Sequence, residues 1–168
     1  MSSVSWSPGL SPTAFLDTNV PIYASGAASP HKGPCAEVLG LASAHPRNFV
    51  TSVEVLQELL HRFSAPRRWP VGRYVLARFV ALMRGRTEPV YPEDLDVATE
   101  LADLETRAGA RDLVHAAVMR RMGVELIVSA DRGFDQIPGV TRLDPLDVEL
   151  WRDSLLAPDG DNGAAPQP

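Results

Sequence analysis

Residues 110–131, ARDLVHAAVMRRMGVELIVSAD, contain the pattern that decides the fold. The first part is almost entirely apolar and predicts a buried helix over Arg111–Met122 that ends at Gly123. The second part predicts a short buried strand over Glu125–Val128, followed closely by Asp131. A buried helix that leads into a buried strand is typical of an α/β protein with a parallel sheet.

The same alternation of strand and helix patterns extends along the rest of the chain. The other predicted strands are Thr13–Leu16, Asn48–Val50, Thr87–Val90 and Val140–Leu143, and the other predicted helices are a short one from Asn19, Pro34–Ala44, Ser52–Phe63, Val71–Met83 and Asp94–Arg107. The sequence therefore predicts an α/β fold in which helices cover both faces of a parallel sheet. In such sheets, functional sites form at the carboxyl ends of the strands.

The length of 168 residues suits one domain. The Ser- and Pro-rich residues 1–12 predict a flexible leader, and residues 13–150 predict the folded domain. Residues 151–168 are interpreted as a C-terminal extension, with a disordered tail from 157 to 168 because that segment has almost nothing to bury.

Two scarce residue types exclude several classes of protein. Cys35 is the only cysteine, which excludes an intrachain disulfide framework and a cysteine-rich zinc site. Lys32 is the only lysine, and it precedes Gly33 and Pro34, so the chain has no lysine-containing phosphate loop. We find no membrane-spanning run and no signal peptide, and we therefore expect a cytoplasmic protein without membrane association.

Of four candidate acidic residues, three fall at ends of predicted elements that a parallel sheet would bring together. Asp17 closes the first predicted strand, Asp131 follows a later one, Asp112 opens the buried helix, and Glu58 lies in the middle of an earlier helix. Two like charges about 4 Å apart repel by about 4 kcal/mol at an effective dielectric near 20. A converging cluster therefore needs a counter-charge, and carboxylate ligands favour Mg²⁺ or Mn²⁺.

Each acid also has an ordinary structural interpretation. Asp17 is a favoured residue for capping the following helix, and Asp112 suits the dipole of its own helix. Asp131 lies in the sequence Ala-Asp-Arg-Gly, which favours a turn. Glu58 is four residues before Arg62, a spacing that favours a surface ion pair. Taken singly, these interpretations stay open.

Glu54 competes with Glu58 for the site because it lies one helical turn earlier. Thr51-Ser52-Val53-Glu54 matches a capping box in which Thr51 begins the helix and Glu54 reaches back to it. We therefore predict a capping role for Glu54 and a site role for Glu58.

Four segments together resemble the PIN domain. They are FLDTN at 15–19, VEVLQELLHRF at 53–63, ARDLVHAAVM at 110–119 and IVSADRGFDQIPGV at 127–140. The sequence is most similar to the VapC toxins of bacterial toxin–antitoxin pairs, and the resemblance spans about residues 13–150.

The resemblance implies a PIN-like three-layer sandwich and a Mg²⁺- or Mn²⁺-dependent endoribonuclease that leaves a 5′-phosphate and a 3′-hydroxyl. The catalytic, metal-binding acids it implies are Asp17, Glu58, Asp112 and Asp131. It also implies contacts to these ligands or to substrate from Thr18, Asn19 and Ser129. Asp135 is a further candidate for such a contact, with a bond to its own turn as the alternative. His115, in the apolar helix, is interpreted as a packed core histidine, with a ligand role as the alternative. As partners, the family implies RNA as substrate, a VapB-type antitoxin that inserts into the acidic site, and a second copy in a homodimer.

Taken over the whole chain, the formal charge of −5 does not favour the binding of nucleic acid. The residues from 62 to 86, however, contain seven arginines and no acid, with Trp69 and Tyr74 among them. Arginine and aromatic side chains suit phosphate contact and base stacking. The alternative is that this segment pairs with the acidic segment 88–105, which contains seven acids and no basic residue.

Two other functions remain open at this stage. A PIN-fold nuclease can process RNA without being a toxin, and a PIN fold that has lost catalysis can serve only as a binding module. The four acids can also be scattered caps with no metal site at all.

Overall fold

The computed structural model describes residues 12–104 and 107–157. Its strands are β1 (Ala14–Leu16), β2 (Phe49–Ser52), β3 (Thr87–Glu88), β4 (Leu126–Val128) and β5 (Thr141–Leu143). Its helices are α1 (Asn19–Ser25), α2 (Lys32–Ala44), α3 (Val53–Phe63), α4 (Trp69–Leu82), α5 (Pro92–Ala102), α6 (Ala110–Met122) and α7 (Val148–Leu156). The predicted leader, except Pro12, and the predicted tail, except Ala157, lie outside the described residues.

The five strands form one parallel sheet in the order β3-β2-β1-β4-β5, which confirms the predicted α/β fold. In the central pair, Phe15 is in register with Ile127 and Leu16 with Val128. The chain continues outward from β1 through β2 and from β4 through β5, on opposite sides of that pair. This reversal of direction between β1 and β4 is the place where α/β sheets form ligand sites.

Helix α6 is the buried helix that the opening pattern predicts. Seven of its thirteen residues are buried, and Gly123 ends it in the left-handed conformation with φ of 68°. A helix that leads into a parallel strand runs antiparallel to it, so α6 begins at the carboxyl edge of the sheet. Asp112, in the first turn of α6, therefore lies at that edge.

The chain between α5 and α6 and near residue 150 differs in detail from the prediction. Helix α5 ends at Ala102 rather than Arg107, because the chain must reverse before α6 begins. Helix α7 crosses residue 150 and buries Trp151 and Leu155 in the core, so the extension begins inside the folded unit. No helix within the described ranges is long and apolar enough to cross a membrane.

The predicted capping box at the start of α3 is wrong. Strand β2 continues through Thr51 and Ser52, because these residues pair with Thr87 and Glu88 of β3. The Thr51 hydroxyl donates to the Leu16 carbonyl at 2.9 Å instead of capping a helix. Glu54 therefore occupies the first turn of α3 without a reciprocal capping bond.

Helices α3 and α4 pack closely because Gly72 has no side chain. A Cβ at Gly72 would lie 2.1 Å from Phe63 Cβ, well inside contact distance. We expect Gly72→Ala to lower the free energy of unfolding by about 2 kcal/mol through overpacking. Gly40→Ala is the matched control: its Cβ would meet nothing within 4 Å, and alanine should stabilise α2 by up to about 1 kcal/mol. Urea unfolding measures both; equal effects would contradict the tight contact.

Candidate active site

Asp17 lies at the centre of the carboxyl edge, immediately after β1 and with only 5% of its surface exposed. Its carboxylate accepts hydrogen bonds from the Thr18 amide at 2.6 Å, the Ser129 hydroxyl at 2.6 Å and the Asn19 side-chain amide. Ser129 also accepts a hydrogen bond from the Asp131 amide at 2.9 Å. Ser129 therefore connects Asp17, at the end of β1, to the residues that follow β4. The hydrogen bonds thus fix the carboxylate of Asp17 in one orientation.

Glu58 reaches the same edge from the middle of α3. It accepts hydrogen bonds from the Thr18 hydroxyl at 2.5 Å and from the Arg111 guanidinium at 3.1 Å. Its ion pair is therefore with Arg111, and the alternative pair with Arg62 is not formed within the described part of the chain. This placement brings Glu58 beside Asp17, as the site hypothesis requires.

His115 points from the buried helix α6 into this cluster. The residue has no exposed surface, and its Nε2 lies 3.5 Å from Glu58 Oε2 and 3.9 Å from Asp17 Oδ1. One ligand atom from each of these three residues lies within 4.8 Å of the others, and no other such group occurs in 12–104 and 107–157. His115 is thus a buried histidine, as predicted, but it contacts the acids.

Asp112 and Asp131 lie beside Gly133, outside the group formed by Asp17, Glu58 and His115. A Cβ at Gly133 would lie 3.2 Å from Asp131 Oδ1 and 3.6 Å from Asp112 Oδ2. Both acids also have the structural roles that their sequence context suggested. Asp112 accepts the Gly109 amide at 2.9 Å at the start of α6, and Asp131 accepts the Gly133 amide at 2.8 Å in its turn.

The site shifts the acidity of its carboxyl groups in opposite directions. Burial raises the pKa of Asp17 to about 6, although the nearby His115 works against this. Burial also acts to raise the pKa of Glu58, but the adjacent His115 imidazole and the hydrogen bonds from Thr18 and Arg111 outweigh it and lower that pKa to about 2. Burial raises the pKa of Asp112, and the neighbouring Asp131 adds to the shift.

The structure differs from the sequence interpretation at Asp135, and it adds Arg111 to the site. Asp135 lies outside the carboxylate cluster, since it pairs with Arg142 at 2.8 Å. Arg111, which the sequence analysis did not single out, lies between Glu58 and Glu54 with 45% of its side chain exposed. Its position next to Asp112 in the sequence was the available signal.

Comparison with known proteins identifies relatives of the whole folded region. The family model described as PIN domain matches residues 14–140. Ribonuclease VapC13 of Mycobacterium tuberculosis is 33% identical over 129 residues, which cover 77% of this chain and 98% of the relative. Ribonuclease VapC23 of the same species is 39% identical over 120 residues, which cover 70% of this chain and 91% of the relative.

Solved structures share the fold at lower identity. VapBC2 from Rickettsia felis, bound to a DNA fragment from its promoter, contains a chain with a TM-score of 0.62 and 21% identity. That match covers 79% of this chain and 99% of the other. The DNA-bound VapBC of Salmonella typhimurium has a TM-score of 0.63 and 21% identity over 80% of this chain and 98% of the other.

The raised pKa of Asp17 predicts how stability depends on pH in the presence of EDTA. The folded protein holds this proton up to about pH 6, whereas the unfolded chain loses it near 3.8. The free energy of unfolding should therefore fall as pH rises through this window, by at most about 3 kcal/mol. Asp17→Asn removes the titration, so its stability relative to wild type should improve between these two pH values.

Urea unfolding of the two proteins from about pH 4 to about pH 8 measures this difference. The slope with pH is the readout, because any hydrogen bond that asparagine cannot make adds only a constant offset. Asp96→Asn, on the exposed surface of α5, is the control and should leave the slope unchanged. Parallel profiles for wild type and Asp17→Asn would show that Asp17 ionises normally.

Proposed function

The chain belongs to the PIN domain family, and we propose that it is a metal-dependent endoribonuclease that hydrolyses RNA phosphodiester bonds as the toxin of a toxin–antitoxin pair. The observation that carries the proposal is the convergence of the buried Asp17 and the half-buried Glu58 beside His115 at the switch between β1 and β4. The curated relatives that cover most of the chain are named as ribonucleases, which supports the same reaction.

The donor set fits Mg²⁺ or Mn²⁺. Asp17, Glu58, Asp112 and Asp131 supply carboxylate oxygens, which hard divalent cations prefer. The raised pKa of Asp17 means that its ionised form is disfavoured in this buried position, and a bound cation would favour that form. When bound, such an ion supplies positive charge and an acidified water molecule for attack on a phosphodiester.

The neighbouring polar side chains keep the carboxylates in place for this reaction. Asn19 and Ser129 fix Asp17, and Thr18 bonds to both Asp17 and Glu58. Rigid ligands lower the cost of organising the site when substrate binds. Arg111 is half-exposed at the opening, where its guanidinium can hold a phosphate of the RNA backbone.

The α3–α4 pair supplies a second surface for RNA. Six arginines on these helices and in the residues that flank α4 are exposed and form no salt bridge with any described residue: Arg62, Arg67, Arg68, Arg73, Arg78 and Arg84. Trp69 and Tyr74 are exposed beside them. We call this set the arginine surface, and we propose that it binds the phosphates and bases of single-stranded RNA.

The arrangement of ion pairs favours RNA binding over pairing with the acidic segment. In that segment, Glu88 and Asp94 pair with Arg121 of α6 at 3.5 and 2.9 Å. No ion pair within the described residues joins the acidic segment to the arginine surface. The side chains of the arginine surface are therefore available to bind a polyanion such as RNA.

The partners of the proposed toxin follow from the family. The solved neighbours are titled as VapBC complexes, which supports an antitoxin partner of the VapB type. We propose that such an antitoxin inserts a segment into the acidic site, that the chain forms a homodimer, and that it acts in the cytoplasm. A small antitoxin reading frame next to the gene is expected on the same grounds.

Removal of the central carboxylate should abolish RNA cleavage. We expect Asp17→Ala to lower the cleavage rate about 100-fold or more, because the electrostatic stabilisation of the reacting phosphate is removed. EDTA should stop the wild-type reaction, and Mg²⁺ or Mn²⁺ should restore it. Asp96→Asn on exposed α5 is the matched control and should cleave normally. Cleavage that survives EDTA, or equal rates for wild type and Asp17→Ala, would refute the metal nuclease.

Growth on expression separates a toxin from an RNA-processing enzyme. A toxin should arrest growth when it is expressed without its antitoxin, and Asp112→Ala should relieve the arrest. Arrest by an Asp112→Ala protein with no nuclease activity would instead indicate a binding module. Cleavage in vitro without any growth effect would favour an RNA-processing nuclease.

Neutralising the arginine surface should weaken RNA binding more than chemistry. We expect Arg67→Ala with Arg68→Ala to raise KM while kcat changes little. The slope of log affinity against log salt should fall by about 0.7 for each RNA phosphate that no longer meets an arginine. Arg47→Ala, exposed just before β2 and outside the arginine surface, is the control for a general charge effect. An unchanged salt slope in the double variant would place the RNA elsewhere.

A further inference from the structure

His115 has no role in the carboxylate site as the family motifs define it, yet its environment demands one. It is fully buried on α6, and both of its ring nitrogens lack a hydrogen-bond partner among the described residues. A buried polar group left without a partner carries an energetic cost, because it has lost its hydrogen bonds to water. A histidine kept at that cost points to a ligand that completes its bonding.

The imidazole is aimed at the two nearest carboxylates. Nε2 faces Glu58 Oε2 at 3.5 Å and Asp17 Oδ1 at 3.9 Å. Around an octahedral ion with bonds of about 2.1 Å, ligand atoms lie roughly 3 Å apart at adjacent positions and about 4.2 Å apart at opposite positions. The two separations fall between those limits, and one ligand atom from each of the three residues lies within 4.8 Å of the other two, so one ion can contact all three groups with little movement.

The ring is also held in this direction by packing. The Phe15 ring lies against the imidazole, with centroids 5.5 Å apart and the planes tilted by 42°. Phe15 belongs to β1, the strand that ends at Asp17. The same strand therefore positions the carboxylate and orients the histidine.

We propose that Nε2 of His115 is a direct ligand of the divalent cation together with Asp17 and Glu58, an inference that rests on the proposed metal nuclease. The site then has mixed nitrogen and oxygen ligands. Imidazole favours transition metals over Mg²⁺, whereas carboxylates alone suit both Mg²⁺ and Mn²⁺. His115 thus shifts the preference of the site from Mg²⁺ toward Mn²⁺.

Pulsed electron paramagnetic resonance of Mn²⁺-loaded protein tests the bond directly. A coordinated imidazole nitrogen couples to the Mn²⁺ electron spin, and labelling all histidines with ¹⁵N changes that coupling without any substitution. We expect nitrogen coupling in the wild type and its loss in His115→Asn. His61→Asn, an exposed histidine on α3, is the matched control and should retain the coupling.

The outcomes separate this proposal from the one on which it rests. Bound Mn²⁺ without nitrogen coupling in the wild type would overturn the ligand role and reduce His115 to a packing residue beside Glu58. Binding of Mg²⁺ but not Mn²⁺ by the wild type would also overturn the ligand role, and failure to bind either ion would overturn the metal nuclease as well. The isotope comparison uses only the wild-type sequence, so the test stands even if His115→Asn fails to fold.

Metal affinity gives an independent readout. Loss of the histidine should weaken Mn²⁺ binding by about tenfold or more. The Mg²⁺ affinity should fall less, so the ratio of Mn²⁺ to Mg²⁺ affinity should decrease in His115→Asn but not in His61→Asn. Calorimetric titration of each variant with each metal measures this ratio, and an unchanged ratio would overturn the ligand role.

Discussion

The parallel pairing of β1 with β4 is the interaction on which the site depends. It places the Asp17 amide 3.2 Å from the Val128 carbonyl, and Ser129 and Asn19 then close the gap between the two strand ends. Because both strands end at the same edge, Asp17 and Ser129 come together from positions more than a hundred residues apart. The other groups of the site, Glu58 included, are arranged around this junction by the helices that begin there.

The junction brings carboxyl groups together where solvent exposure is low, and specific contacts from neighbouring side chains stabilise them. His115, Thr18 and Arg111 lower the pKa of Glu58 and keep that carboxyl ionised, whereas burial favours the protonated form of Asp17. Such opposed shifts between neighbouring carboxyl groups are typical of functional sites. The raised pKa of Asp17 also implies that ionisation of this carboxyl costs stability when no cation is bound.

The net charge of the chain does not show that its basic and acidic residues are concentrated in different segments. The acids of the segment 88–105 that pair do so with Arg121, and the arginine surface on α3 and α4 remains unpaired within the described residues. A negative total of five therefore coexists with a cationic face on the helices that carry or adjoin Glu58. For a protein proposed to bind RNA, the distribution of charge is more informative than its sum.

The sequence by itself determined the alternation of strands and helices, the parallel sheet and the gathering of acids at its carboxyl edge, because these follow from local patterns and a general rule of α/β topology. It did not determine the role of Thr51, which β3 takes into the sheet, nor the ion pair of Glu58, which goes to Arg111 rather than to Arg62. It placed His115 in the core but not against Asp17 and Glu58. Only the tertiary structure decided these contacts, because each joins side chains from distant segments, and local sequence patterns contain no information about such distances.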